Sequence, residues 1–270
     1  MYTLFSEQIQ AGTLFYKHAR GVSDRSGKEF HTFHEIILFL GGKVTFIGEQ
    51  VHTEILPNTL IFIPKESYHQ LIVHGDPNSY YRCVLHFADS EELQSLMACI
   101  TDIAFVEAKD KLLSYFETLN TLAKTPVPHQ GLVLQSVLVL LLNELNLQKA
   151  STLHRPSQHP VVEDILSYIN ENMQRTLSVE ILAKKYHLSP SSISHLFKKE
   201  MKIPLHQFIL KKRLITAYHK IAAGETPSLV ATECGFHDYS GFYKQYKKMF
   251  GHSPSNKDSI FYRTSKDVLL

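Results

Sequence analysis

The sequence is poor in several kinds of residue, and each deficiency excludes a class of protein. It has no tryptophan and only three cysteines among 270 residues. Cys83, Cys99 and Cys234 stand far apart, without a CxxC pair or the Cys/His spacing of a zinc site. A disulfide scaffold and a zinc ribbon are therefore excluded, and a reducing cytoplasm is the expected compartment.

Sequence motifs of the common enzyme classes are also missing. No GxSxG, HExxH or P-loop pattern occurs, so neither a nucleophile nor a phosphate-binding loop can be identified. The first residues lack the basic and apolar regions of a signal peptide, and the most apolar stretch, 131–142, is shorter than the roughly 20 residues that cross a bilayer. We therefore expect a cytoplasmic protein that is not an enzyme and has no membrane partner.

Net charge is scarce as well, but the +2 of the whole chain hides an asymmetry. Residues 1–160 carry 12 basic and 16 acidic side chains, whereas residues 161–257 carry 14 basic and 8 acidic ones. Because a basic region suits the phosphate backbone, the second half of the chain is the candidate for nucleic-acid binding.

The first ninety residues contain short runs rich in Ile, Val, Phe and Tyr, separated by turn-forming residues. Such runs without helical periodicity predict an all-β barrel or sandwich over about 10–90, after an irregular N-terminal arm. An open antiparallel sheet is the alternative. The predicted strands are 13–18, 35–40, 44–47, 51–56, 59–63, 69–74 and 80–87.

Histidines accompany these strands: FHTFHE supplies His31, His34 and Glu35, and His69 follows a later hairpin. Imidazole and carboxylate groups are competent metal ligands. Residues three apart on a strand point to opposite faces, however, so we expect structural histidines or contacts to an organic ligand, with no metal and no cofactor. The inward-facing candidates for ligand binding are Tyr16, His31, Glu35, His69 and Arg82.

Helical periodicity replaces the short runs over residues 91–149. In the segment 130–148, Leu134, Leu138, Leu141 and Leu145 follow a 4-3-4 spacing. Two compatible interpretations are a core helix, since the other faces are also apolar, and a dimerisation helix with these leucines as a two-heptad seam. The polar, proline-containing segment 151–160 predicts a linker that ends a first domain over 1–150.

The second half contains an internal repeat. Residues 178–201 and 227–250 each indicate a short helix, a turn and a second helix that begins with small polar residues and ends in paired lysines. Ala183 matches Ala231 at an offset of 48, and Phe197 matches Tyr246 at 49, so one residue is inserted in the second turn. Two helix-turn-helix units joined by a helix over 204–222 predict an all-α DNA-binding domain at 161–260.

In a helix-turn-helix, the start of the second helix faces base edges, and lysines further along meet phosphates. Ser189 and Pro190 suit the start of the first such helix, as N-cap and first helical residue. The outward faces then predict DNA contacts from Ser191, Ser194, His195, Lys198 and Lys199 in the first unit, and from Ser240, Tyr243, Lys244 and Lys247 in the second.

This half resembles the AraC/XylS-type transcription regulators. The resemblance rests on Leu182-Ala183, LSPSSISHLFKKE, Arg213 with Leu214 and Ala217, Ala231, Cys234-Gly235-Phe236, Phe242, Tyr246-Lys247-Lys248, Gly251 and Ser253-Pro254. It implies base contacts from Ser191, Ser194, His195, Ser240, Gly241 and Lys244. Family members often carry arginine at the places of His195 and Lys244, and a glycine at that of Lys202.

The first half is similar to the cupin-type effector and dimerisation domain that many members carry. The resemblance implies two domains: an N-terminal all-β cupin-like barrel followed by helices, and a C-terminal all-α domain of two helix-turn-helix subdomains joined by a long helix. The implied function is transcription regulation, with activation expected. The implied partners are double-stranded promoter DNA, a small-molecule effector, a second copy in a homodimer and, for an activator, RNA polymerase.

Two other functions remain open from the residues themselves. His31, Glu35 and His69 would also suit a metal-dependent cupin-type enzyme with an appended DNA-binding module. The lysine-rich faces would also suit solvated helices of an adaptor protein, although their recurrence at matched places in a repeat favours DNA.

Overall fold

The computed structural model of the protein describes residues 2–22, 30–49, 51–98, 100, 102–125, 127–148, 159–173 and 177–256. By its internal contacts the chain forms two compact units, Met1–Arg155 and Pro156–Leu270. The division falls within the predicted linker, of which residues 151–158 lie outside the described residues.

The first unit contains two antiparallel sheets. The larger has six strands in the order β1-β2-β8-β3-β6-β9, and the smaller has three in the order β5-β4-β7. The strands are β1 (Tyr2–Ala11), β2 (Leu14–Val22), β3 (His34–Gly41), β4 (Lys43–Gly48), β5 (His52–Ile55), β6 (Thr59–Ile63), β7 (His69–His74), β8 (Tyr81–Phe87) and β9 (Ala104–Glu107).

All seven strands predicted from the sequence are present, but two further strands correct the prediction. Where an irregular arm is expected, Tyr2–Ala11 pairs with β2, and where only helices are expected, Ala104–Glu107 pairs with β6. Both lie at the edges of the larger sheet. An edge strand pairs on one side only. Both segments lack the clear alternation of apolar and polar residues by which a strand is recognised.

The two faces of the larger sheet pack against different partners. On β3, Ile36 and Leu38 belong to the core that the sheet shares with the helices of this unit, whereas Ile37 and Phe39 belong to the core that includes β4 residues. Because side chains alternate along a strand, Glu35 points to the same interior face as Ile37. The register places Glu35 opposite His86 of β8.

Three helices follow the sheets: α1 (Gln94–Met97), α2 (Asp110–Lys124) and α3 (Gln130–Leu147). Leu134, Leu138, Leu141 and Leu145 of α3 are 0% exposed and pack into the core between the larger sheet and α2. The core interpretation is therefore correct. The prediction that these leucines form a dimer seam is wrong, since side chains packed within one unit cannot also contact a second copy.

By length and composition alone, α3 could cross a membrane. It has 18 residues, more than the apolar stretch 131–142 outlined from the sequence. A core helix of a folded domain passes the same test, and seven α3 residues are buried in this unit. Packing against the sheet and α2 thus accounts for its apolar character.

All regular secondary structure among the described residues of the second unit is helical. Its helices are α4 (Pro160–Glu171), α5 (Val179–Lys185), α6 (Pro190–Met201), α7 (Leu205–Ala222), α8 (Pro227–Glu233) and α9 (Tyr239–Phe250). Helices α5 and α6 form the first helix-turn-helix, α8 and α9 the second, and α7 connects them. The predicted all-α fold of two helix-turn-helix subdomains joined by a long helix is thereby confirmed.

Aromatic side chains hold each second helix to its neighbours. The Phe197 ring of α6 contacts Phe208 of α7, with ring centroids 5.3 Å apart. In α9, Phe242 contacts Phe236, and Tyr246 contacts Phe250, with centroids 5.0 and 4.6 Å apart. Burying these rings fixes which face of α6 and α9 is left for solvent.

Candidate functional site

The same backbone hydrogen bond closes both helix-turn-helix units. The N–H of Leu188 donates to the carbonyl of Ala183 at 2.9 Å, and the N–H of Phe236 donates to the carbonyl of Ala231 at 3.0 Å. Both alanines are 2% exposed, so no larger side chain keeps the helices apart there. The two turns are therefore equivalent structures and not only similar sequences.

Side-chain caps start both second helices. The Ser189 hydroxyl accepts the N–H of Ser192 at 3.0 Å, and the Asp238 carboxylate accepts the N–H of Gly241 at 2.6 Å. Such caps satisfy N–H groups that have no partner within the helix. The caps stand at an offset of 49 and the turn hydrogen bonds at 48, which locates the predicted insertion at His237.

The predicted DNA-binding side chains lie on one face of each second helix. The exposed residues are Ser191, His195, Lys198 and Lys199 on α6, and Ser240, Lys244 and Lys247 on α9; Ser194, Gly241 and Tyr243 are half-buried. The Ser194 hydroxyl donates to the carbonyl of Pro190 at 2.7 Å, so it can offer a base only its lone pairs.

Five exposed residues of these helices are absent from the predicted set: Pro190, Ser192, Tyr239, Gln245 and Lys248. Lys248 matches Lys199 at the offset of 49, so the repeat itself contained the signal for it. Gln245 follows Lys244, and glutamine is a side chain that can bind adenine through two hydrogen bonds. Ser192 shares a hydrogen bond of 2.8 Å with the capping hydroxyl of Ser189.

A single arginine of α7 contacts both helix-turn-helix units. The guanidinium of Arg213 donates to the carbonyl of Leu177, just before α5, at 3.0 Å, and to the carbonyl of Gly235, in the second turn, at 3.2 Å. Burial lowers the pKa of this guanidinium. A Cβ added to Gly235 would lie 3.0 Å from the guanidinium, so the turn leaves no room for a side chain there.

A second candidate site lies in the first unit, where one carboxylate faces three imidazoles. Oε2 of Glu35 lies 3.4 Å from Nε2 of His31 and 3.2 Å from Nε2 of His69. Its other oxygen, Oε1, accepts a hydrogen bond of 2.7 Å from Nε2 of His86. All four side chains are buried. We call them the Glu35 cluster.

The Glu35 cluster joins the two sheets. Glu35 and His86 are opposite each other on β3 and β8, whereas His69 begins β7 of the smaller sheet. Burial would raise the pKa of Glu35, but hydrogen bonding from the imidazoles around it, that of His86 included, holds it well below its usual range. The carboxylate is therefore ionised inside the protein. His86 is not among the residues predicted from the sequence, because only the strand register brings it to Glu35.

The remaining ligand candidates are not part of the cluster. Tyr16 was predicted to point into the interior of the barrel, and this is wrong. It points to the other face of the larger sheet, into the core shared with the helices, where its hydroxyl donates to Oδ1 of Asn120 at 2.7 Å. Arg82 is on the face of Glu35 but four residues from His86 along β8, and its guanidinium lies over the Tyr80 ring. His34 points away from the cluster and contacts Asp89 at 2.8 Å.

Two family models match this chain. One, described as the AraC-like ligand-binding domain, matches residues 12–122, and one described as a helix-turn-helix domain matches residues 182–257. The first spans β2 to β9, the Glu35 cluster and most of α2, and the second begins within α5 and continues past the end of α9.

Two relatives are named as transcriptional regulators. The chain is 38% identical over 90 residues to the probable transcriptional regulator LumQ of Photobacterium leiognathi, covering 33% of this chain and 36% of that protein. It is 26% identical over 193 residues to the uncharacterized HTH-type transcriptional regulator YdiP of Escherichia coli K12, covering 67% of this chain and 63% of that protein. The alignments thus span less than two thirds of either relative.

Among solved structures, that of apo ToxT K231A from Vibrio cholerae is similar at 12% identity with a TM-score of 0.40, over 95% of this chain and 96% of that one. The two family matches define a protein with a ligand-binding type of domain followed by a tandem helix-turn-helix domain. Over these two matched ranges the chain is similar to AraC-type transcription regulators.

Proposed function

We propose that the protein is a sequence-specific DNA-binding transcription regulator, and an activator, controlled through its N-terminal domain. The observation that carries the proposal is the matched pair of exposed faces on α6 and α9. Each face has a small polar residue at its start, a cationic or imidazole side chain one turn later and a lysine pair at its end. Recurrence at an offset of 49 favours DNA binding over two ordinary solvated helices.

The two faces would act on adjacent major grooves. Helix α7 has 18 residues and is therefore about 27 Å long, a length compatible with two reading helices about one turn of DNA apart. In this arrangement His195 and Lys244 contact base edges, and Lys198, Lys199 and Lys247 contact phosphates. Histidine and lysine lack the fork of an arginine, so base discrimination by each unit is modest.

Dimerisation through the first unit would add specificity. The apolar residues that α3 leaves exposed form the proposed contact in place of its buried leucines: Leu132, Val139, Leu140 and Leu147. We expect Leu140→Glu together with Leu147→Glu to convert a dimer to a monomer in light scattering. The same substitutions should leave the circular dichroism spectrum unchanged, because neither side chain is in the core. A wild-type monomer would contradict this part of the proposal.

The N-terminal domain is the proposed sensor for a small-molecule effector, with the Glu35 cluster as its polar element. The supporting observation is that the family model matching residues 12–122 is described as an AraC-like ligand-binding domain. For an activator, RNA polymerase is the further partner, and the cytoplasm is the compartment in which all these partners meet.

The test is selection of genomic DNA fragments by the purified full chain, followed by affinity measurements. We expect a shared sequence in the selected fragments, tighter binding to it than to a shuffled duplex, and an affinity that falls steeply with salt because lysines displace counterions from phosphates. Selection without any enriched sequence, or equal affinity for both duplexes, would contradict sequence-specific binding.

A further inference from the structure

In the Glu35 cluster, a nitrogen of His31 and an oxygen of Glu35 face each other with no hydrogen atom between them. Nδ1 of His31 lies 2.7 Å from the carbonyl oxygen of Phe33, and since a carbonyl can only accept, Nδ1 carries the proton. In the neutral imidazole, Nε2 of His31 therefore presents a lone pair to Oε2 of Glu35. Neither atom has a hydrogen-bond partner among the described residues.

Burial makes this pairing of two acceptors unfavourable unless a cation lies between them. His31 is 6% exposed and Glu35 is 4% exposed, so water does not solvate these atoms as it would at the surface. A proton on Nε2 would serve poorly, because the separation of 3.4 Å is longer than an ordinary N–H···O hydrogen bond. A metal ion accepts lone pairs from both groups at once.

We propose that His31, Glu35 and His69 bind a divalent first-row transition-metal ion, with zinc as the first choice. The three ligand atoms lie within 4.8 Å of one another. Two ligands each about 2.0–2.1 Å from a tetrahedral zinc ion stand about 3.4 Å apart. Oε2 of Glu35 lies at 3.4 Å from His31 Nε2 and at 3.2 Å from His69 Nε2, which matches that spacing.

Neighbouring groups orient these ligands as the outer partners of metal sites do. The carbonyl of Phe33 fixes the tautomer of His31, and His86 holds the other oxygen of Glu35 at 2.7 Å. Aromatic rings restrict the imidazoles: Phe33 stacks on His31 with centroids 4.2 Å apart, and Phe46 lies parallel to His69. The ligand geometry is thus set by the fold.

The donor set determines the class of metal. Two neutral imidazoles and one carboxylate suit zinc, iron, cobalt or nickel, whereas calcium and magnesium prefer oxygen ligands. Three protein ligands leave at least one coordination position for a further group, which is the arrangement of metal sites that exchange a bound molecule. The site would then join the two sheets through one ion.

The direct test uses the full chain after treatment with chelator. We expect zinc to bind with a stoichiometry of one in calorimetry and to raise the Tm, and cobalt(II) to give saturable visible absorption bands that zinc abolishes. No stoichiometric zinc binding, or zinc binding without cobalt bands, would overturn the proposal. These measurements need no variant and no DNA.

Substitutions then locate the ion. Glu35→Gln and His31→Gln should weaken zinc binding at least 100-fold, and His86→Gln, which removes an outer partner, by about 10–100-fold. His74→Gln is the matched control, because His74 ends the same strand that His69 begins but is exposed. An equal loss for His74→Gln would place the ion elsewhere and overturn the proposal; circular dichroism confirms that each variant is folded.

Discussion

The two helix-turn-helix units follow the same backbone path with different residues. In the turn, the left-handed position is His187 with φ 54° in the first unit and Gly235 with φ 79° in the second. After the second helix, the left-handed stop is Lys202 with φ 55° in the first unit and Gly251 with φ 77° in the second. Glycine adopts this conformation without strain, whereas a residue with a Cβ does not.

The difference follows from what lies beside each turn. Gly235 has the guanidinium of Arg213 against it, so a side chain there would meet a group already held by two carbonyls. His187 is exposed and its side chain extends into solvent. The second turn therefore requires glycine for space as well as for φ, while the first tolerates a mild strain. The units differ in what anchors them, and each of the following changes tests that difference.

The largest effect should come from Arg213→Ala, which removes the contact shared by both units. We expect the free energy of unfolding to fall by about 2–4 kcal/mol, because two carbonyls lose charge-assisted hydrogen bonds. Urea denaturation of the full chain measures the loss. Arg213→Lys is the control: it keeps the charge but not the two-pronged geometry, and should recover only part of the stability. Wild-type stability of Arg213→Ala would refute the bridging role.

The next effect compares base contact with phosphate contact inside the second unit. Lys244→Ala should weaken binding to the selected DNA by about 1–3 kcal/mol and relax the preference at one base step, whereas Lys247→Ala should weaken binding to every duplex alike and reduce its salt dependence. Fluorescence anisotropy on specific and shuffled duplexes measures both. Equal losses on the two duplexes for Lys244→Ala would remove it from the base-contacting residues.

A smaller effect is expected from Gly235→Ala, through the unfavourable φ and the crowding of Arg213. The unfavourable φ costs about 1–2 kcal/mol by itself. The double variant with Arg213→Ala separates the two causes, since residues in contact give non-additive changes in stability. We expect Gly235→Ala to be less damaging once the guanidinium is absent. Additive losses would show that only the backbone conformation matters.

The smallest effects should be gains in the first unit. His187→Gly and Lys202→Gly each relieve a left-handed residue, but glycine also increases the freedom of the unfolded chain, so the gain is at most about 1 kcal/mol. Thermal unfolding of the single variants checks the sign. A loss of stability from either change would mean that its side chain makes a stabilising contact.

Local patterns were sufficient for much of the fold. The strands 59–63 and 69–74 have their predicted bounds, because an apolar run between turn residues can be recognised from the few residues that form it. The start of α6 at Pro190, capped by Ser189, is likewise a local signal. The edge strands Tyr2–Ala11 and Ala104–Glu107 were not predicted, because they form by pairing with β2 and β6 and their own sequences carry little strand signal.

The sequence by itself determined the repeat, the caps and the exposed basic faces, because helical periodicity assigns each residue of a short helix to a face. Only the tertiary structure decided what gathers around Glu35 and Arg213. Strand register sets His86 opposite Glu35, the second sheet brings His69, and helix packing directs Arg213 to both units. The same packing buries the α3 leucines that the heptad spacing assigns to a dimer. Contacts between distant residues depend on how elements assemble, and spacing along the chain does not encode that.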